Sequence, residues 1–199
     1  MWRNTQTHLP FRTSLVPLLL LALLLTSCLQ PRTYQGAPYN PPVAAADLAL
    51  TDMLGQPFRL SEAPPGVRLV FFGYSSCPDI CPNTLGKVAA ALAELDAEER
   101  AAVQVLFITV DPARDSGQVL QEYLAPFGPE FLGLTSDEAA LQEAAKAYFG
   151  TFYEEPEQPG LFTHSGRVHL IDRRGMIPVS YTDPFDPADL AHDLRLALR

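Results

Sequence analysis

Cysteine is scarce in this chain. Three occur in 199 residues, too few for the dense disulfide framework that staples small secreted domains. Basic residues are also in short supply, 14 against 23 acidic ones, giving a formal net charge of −9. That balance excludes the cationic footprint of a nucleic-acid-binding domain. Internal repeats are absent, which argues against solenoid and propeller architectures. Long apolar runs are missing too: residues 15–25, interrupted only by Pro17, fall short of the roughly 20 residues that a permanent membrane helix needs. Hydrophobic residues nevertheless make up 47% of the chain, enough to bury one ordinary core, so a single folded domain is expected.

The apolar run sits in a recognisable setting. Arg3 and Arg12 precede it, and Leu25-Thr26-Ser27-Cys28 follows. A charged front, a short apolar stretch and a small-residue end make a secretory signal. The boundary resembles the lipobox of bacterial lipoproteins, in which the cysteine is acylated and becomes the new N-terminus. Residues 1–28 are therefore expected to be a lipoprotein-type signal ending at Cys28, the lipid anchor, with plain secretory cleavage as the alternative. Residues 29–45 carry Pro31, Pro38, Pro41 and Pro42 with Gly36, a composition that predicts a semi-stiff tether without a core. The folded domain, 46–199, is then expected on the extracytoplasmic side, periplasmic or in the cell envelope, anchored to the membrane through the N-terminus.

Within the domain, residues 48–51 and 57–60 around Met53-Leu54-Gly55-Gln56 predict a short, edge-like β-hairpin with its glycine in the turn. Residues 67–72 and 103–110 read as buried strands, and 82–95 and 118–124 as helices at 3.6-residue spacing. A short strand is expected at 131–134. Ser136-Asp137-Glu138 starts a helix that runs to about Tyr148 and stops at Gly150. Residues 168–171 and 177–181 form an antiparallel hairpin across Asp172-Arg173-Arg174-Gly175, and Asp186-Pro187 opens a terminal helix. Strand and helix alternation implies a parallel component to the sheet. The order fits an α/β, thioredoxin-like fold: a central mixed sheet flanked by helices, with an N-terminal hairpin and an inserted segment near 116–134.

If Cys28 is acylated, Cys77 and Cys81 are the two thiols left in the fold. They lie in Cys77-Pro78-Asp79-Ile80-Cys81-Pro82, where a buried strand gives way to a helix. A helix N-terminus favours the thiolate, which is both nucleophile and metal ligand. A structural disulfide between them would close too small a loop to stabilise much. Two soft thiolates select Cu(I), and a third donor would complete a trigonal site. Four histidines are available. His8 lies in the signal, His192 on the polar side of the last helix, and His169 in a strand with parity opposite to Val168 and Leu170, which predicts a surface or half-buried side chain. His164, in Phe162-Thr163-His164-Ser165-Gly166, stands where loops approach the strand–helix joint; it is either a third donor or a hydrogen-bonded loop histidine. Asp79, Asp111 and Asp115 read as caps or turn formers, or else as groups that support the site or dock a partner. Tyr74 and Phe72 read as packing.

Phe71-Phe72-Gly73-Tyr74-Ser75-Ser76-Cys77-Pro78-Asp79-Ile80-Cys81-Pro82, then Ile108-Thr109-Val110-Asp111-Pro112 with Arg114-Asp115, then His164-Ser165 before Leu170-Ile171-Asp172, resemble the Sco/SenC family. The resemblance runs from about Leu48 to the C-terminus. It implies a membrane-tethered thioredoxin-like domain that holds copper, as Cu(I) or Cu(II), through Cys77, Cys81 and His164 for assembly of the binuclear copper centre of cytochrome c oxidase. The implied partner is the copper-bearing oxidase subunit or another periplasmic copper chaperone. Ser116-Gly117 departs from the family's usual Thr-Pro, and Arg173 replaces a frequent proline. A thiol–disulfide oxidoreductase, with Cys77 attacking and Cys81 resolving, is the alternative function. Reductases of this fold generally space their cysteines by two residues, and here the spacer is three.

Overall fold

Val67–Gly73 is buried at every position and forms a strand, β4, inside the sheet. Its side chains offer no polar face, so the strand requires a covering layer on both sides. The computed structural model of the chain describes residues 33–199, of which Tyr34–Arg199 form one compact unit. The expected signal, Cys28 and the first part of the tether lie outside the described residues. Around β4, the strands are β1 (Ala37–Ala44), β2 (Ala49–Asp52), β3 (Pro57–Arg59), β5 (Val103–Thr109), β6 (Phe131–Thr135), β7 (Phe152–Glu154), β8 (Phe162–His164), β9 (Arg167–Ile171) and β10 (Met176–Thr182). The helices are α1 (Ile80–Ala93), α2 (Ala97–Ala101), α3 (Gly117–Leu124), α4 (Glu138–Ala147) and α5 (Pro187–Ala197).

Eight strands form one mixed sheet in the order β1-β10-β9-β4-β5-β6-β2-β3, and β7 pairs with β8 in a separate two-stranded sheet. The pairs β4–β5 and β5–β6 are parallel, and β9 runs antiparallel to β4. Neighbouring residues of a strand point to opposite faces. Phe71 packs on Phe107, whose ring meets Tyr123 of α3, whereas Phe72 packs on Tyr148 just past α4. Helices therefore cover both faces, and α1 packs on α5. This is the mixed, helix-flanked sheet that the element order predicts. The residues expected as an insertion form α3 and β6, which extend the sheet beyond β5.

The N-terminal hairpin is present as β2 and β3, with β3 at the sheet edge. Gly55 takes φ +81 in its turn, a conformation that favours glycine, and Asp52 Oδ1 accepts the amides of Leu54 and Gln56 at 2.9 and 2.8 Å.

Two expectations need correction. Ala37–Ala44, expected to belong to the tether, is instead a strand antiparallel to β10. Prolines are tolerated there because β1 is the outermost strand, where one row of amides needs no partner. The folded unit therefore begins before residue 46. His169, expected at or near the surface, is 1% exposed. Parity failed because β9 sits between β4 and β10 with cover on both faces, so its alternating positions have no solvent side. The His169 ring packs on Tyr148, Tyr39 and Phe149, and its Nδ1 lies 3.2 Å from the Tyr39 hydroxyl. Burial pushes its pKa down to about 4.

Candidate metal centre

Parallel strands β4 and β5 end at the same edge of the sheet, so the loops that follow them meet. The loop after β4 carries Cys77, and α1 begins at Ile80 with Cys81 in its first turn. The Cys77 sulfur accepts the Cys81 amide at 3.4 Å, using one of the donors that a helix start leaves without a partner. Cys81 is fully buried and Cys77 is 8% exposed. Both are free thiols.

His164 ends β8 and is half-buried. Its Nε2 lies 3.5 Å from Cys81 Sγ, and its Nδ1 lies 3.3 Å from the Ser165 carbonyl oxygen. A carbonyl only accepts, so the tautomer with its proton on Nδ1 makes this hydrogen bond and turns the Nε2 lone pair toward the sulfur, the form a metal requires. The imidazole is held edge-on to two rings, Tyr74 at 5.8 Å and 87° and Phe71 at 6.1 Å and 73°. One donor atom from each of Cys77, Cys81 and His164 falls within 4.8 Å of the others. Two soft sulfurs and one imidazole in a mostly buried pocket suit Cu(I), and the spacing needs little closure to share one ion.

The sulfurs differ electrostatically. The Cys77 pKa is lowered, chiefly by the hydrogen bond from the Cys81 thiol, then by His164 and the amides of Asp79 and Cys81, against the opposing effect of burial. Cys81 is raised, first by that same hydrogen bond to Cys77 and then by burial. The two shifts run in opposite directions, favouring the thiolate at Cys77 and the proton at Cys81, and a cation bound by both sulfurs must displace that proton.

Neighbouring residues fix the cysteine loop. Asp115, fully buried, accepts the Ser75 amide at 3.0 Å, the Ser75 hydroxyl and the Thr109 hydroxyl at 2.6 Å. It acts as a buttress beneath the residues leading to Cys77. Asp111 is buried and paired with Arg114. Asp79 is exposed at the start of α1, makes no side-chain cap, and accepts from the Asn83 amide group. Tyr74 does more than pack: its hydroxyl accepts the Phe162 amide at 3.3 Å, tying the cysteine loop to the strand that bears His164. His192 is exposed on α5, with Nδ1 3.4 Å from Asp193.

Sequence reasoning missed the close approach at Gly73. A Cβ there would come within 2.9 Å of Cys81 Sγ and of the Phe107 ring. Gly73→Ala is expected to push the sulfur from its place, lowering stability by about 1–3 kcal/mol as overpacking does and weakening metal uptake. Thermal melting with copper titration checks it; unchanged copper affinity would contradict the packing argument. The position of Gly73, at the strand end nearest the cysteines, was the available signal.

A family model described as SCO1/SenC matches residues 37–199. Protein SCO2 of Saccharomyces cerevisiae mitochondria is 38% identical over 144 residues, covering 70% of this chain but only 45% of that protein, so this chain matches less than half of that relative's length. Among solved structures, apo Sco1 from Thermus thermophilus is 32% identical with a TM-score of 0.75, covering 84% of this chain and 98% of that one. Yeast Sco1 with copper bound is 33% identical with a TM-score of 0.69, covering 78% and 88% respectively. With a family match over nearly the whole described region and a shared thioredoxin-like architecture, the chain belongs to the SCO1/SenC family.

Proposed function

We propose that the protein is a membrane-tethered copper metallochaperone that takes up copper at Cys77, Cys81 and His164 and delivers it to the binuclear copper centre of cytochrome c oxidase. The observation that carries this reading is the convergence of three soft or borderline donor atoms within 4.8 Å from two separate parts of the chain. Support comes from the solved copper-bound state of yeast Sco1. Cys28 is the proposed lipid anchor, and the extracytoplasmic envelope the proposed location. Release to a cysteine- and histidine-bearing acceptor would proceed by ligand exchange, with Cys77, the less buried sulfur, exchanging first. The acceptor is the copper-bearing oxidase subunit or a second copper chaperone.

Copper stoichiometry on reduced and oxidised protein tests this reading. The reduced form is expected to take up one ion per three-donor site, and the form with a Cys77–Cys81 disulfide none, because that bond consumes both thiolates. Equal uptake by the two forms would remove the cysteines from the site.

The unequal thiols favour a second reading. A thiolate at Cys77 backed by a protonated Cys81 is the arrangement of an attacking and a resolving thiol, which would keep the acceptor's cysteines reduced. Under this reading His164→Ala still reduces an acceptor disulfide and Cys77→Ser does not. Equal reduction by both variants would eliminate it.

A further inference from the structure

We propose that Arg114 is a positioning residue for the metal centre: it latches the β7–β8 hairpin to the loop after β5 and thereby sets where His164 stands. The inference rests on the reading of His164 as a donor. What needs explaining is how His164 is placed at all. β8 is three residues long and pairs only with β7, through Phe152↔His164, Tyr153↔Thr163 and Glu154↔Phe162. Neither strand joins the ladder of the eight-stranded sheet that positions the cysteines. Only Ser165 and Gly166 join His164 to β9 of that sheet, so the chain fixes one end of β8, and side-chain contacts must settle how the rest of the hairpin lies over the cysteine loop.

Arg114 supplies several of them at once. Its Nε donates to the buried carboxylate of Asp111, which fixes the base of the side chain to its own loop. Its Nη2 donates to the Gly160 carbonyl oxygen in the connection between β7 and β8. Its guanidinium carbon lies 5.9 Å from the centre of the Tyr74 ring and 5.9 Å from that of Phe162, within the range of cation–π attraction. Those two rings are 5.4 Å apart. One planar cation thus meets an aromatic from the cysteine loop and another two residues before His164. Tyr74 itself presents an edge to the His164 ring and accepts the Phe162 amide.

The hairpin is shaped to receive the guanidinium. Gly160 takes φ +88, and a Cβ at that position would come within 2.6 Å of Arg114 Nη1. The Gly160 amide is held at 2.6 Å by Glu154 Oε1 of β7, and the peptide that carries the Gly160 carbonyl is fixed by its Leu161 amide, which donates to the Gln158 carbonyl oxygen at 3.0 Å. A fork of donors with a flat face is required here, so lysine, a single-point cation, is a poor substitute.

A double-mutant cycle on the full chain, read by Cu(I) competition against a chelator of known affinity and by the thiolate-to-Cu(II) charge-transfer absorption, tests the latch. Arg114→Ala is expected to weaken Cu(I) binding by about 10–100-fold, the usual effect of removing a group that orients a ligand, and to shift the charge-transfer band. Arg114→Lys keeps the charge and is expected to lose affinity in the same direction, which preserves the test should the alanine variant fold poorly. In the His164→Ala background, Arg114→Ala should cost no further affinity, because the arginine acts through the imidazole. Parent affinity in both Arg114 variants, or an equal loss with and without His164, overturns the latch. If His164→Ala alone leaves copper affinity unchanged, the donor reading of His164 fails, and the latch falls with it.

Discussion

His164→Ala is expected to weaken copper binding by more than about 100-fold, since loss of a donor should exceed the 10–100-fold typical of losing a group that only orients one. The fold should survive. His164 ends a three-residue strand of the small sheet, is half-buried, and does not belong to the buried apolar core. What the substitution removes is two edge contacts, with Phe71 and Tyr74, the Nδ1 contact with the Ser165 carbonyl oxygen at 3.3 Å, and one long contact to Cys81 Sγ at 3.5 Å. Each aromatic pair contributes about 1 kcal/mol, so the two together correspond to roughly 4–8 °C in melting temperature for a domain of this size. A large affinity loss with a small melting shift is thus the signature of a ligand. Parent-like copper affinity in a folded His164→Ala protein would reduce the site to two thiols and remove the imidazole from it.

The second large effect is the pH profile of thiol alkylation. In the native, metal-free protein Cys77 should react at a rate nearly independent of pH between about 5 and 8, because its thiolate is already formed well below the ordinary thiol value of about 8.5. Unfolded protein should react about tenfold faster per pH unit over the same span, as thiolate accumulates. Cys81, fully buried and with its pKa raised, should remain unlabelled. The same asymmetry sets the sign of the stability change. Between the lowered Cys77 value and the ordinary one, the unfolded chain holds a proton that the native state lacks, so this contribution grows as pH rises and is lost as pH falls through the lowered value. Above the ordinary value Cys81 acts in the opposite sense, since the native state keeps a proton that the unfolded chain has released. Cys77→Ser should remove the acid-side slope. Mass-spectrometric mapping of the alkylated peptide checks the assignment; a native Cys77 profile that follows the unfolded one would show that the hydrogen bond from Cys81 does not hold the thiolate.

Most of the fold could be read from the chain because burial writes itself into composition. β4, β5, α1, α3, α4 and the β9–β10 hairpin each carry an apolar run or a helical stripe that the packed structure uses. β1 could not be read that way. Its prolines signal a tether, and only its position as an outermost strand, a fact of the whole sheet, makes them compatible with pairing. The β7–β8 pair was equally hidden: three-residue strands have no periodicity to detect, and the side-chain bonds that tie the hairpin down come from Tyr74 and Arg114 in distant loops. Parity misplaced His169 because a strand covered on both faces has no outward side.

At the candidate site, Cys77 and Cys81 announced themselves by their spacing at a strand–helix joint. His164 was located by its place before a predicted strand and by family resemblance, since an isolated histidine in a loop carries no local signature. The buttress at Asp115 and the latch at Arg114 were visible in the sequence only as part of a motif following β5. Their roles emerge once the ends of β4 and β5 lie side by side and the two loops touch.

X-ray absorption on the copper-loaded protein tests the central claim most directly, because it counts the atoms bound to the metal. Two sulfur donors and one imidazole nitrogen are expected, with the nitrogen lost in His164→Ala and one sulfur lost in Cys77→Ser. A spectrum of the parent protein with no imidazole contribution, or with a single sulfur, would contradict the three-donor site.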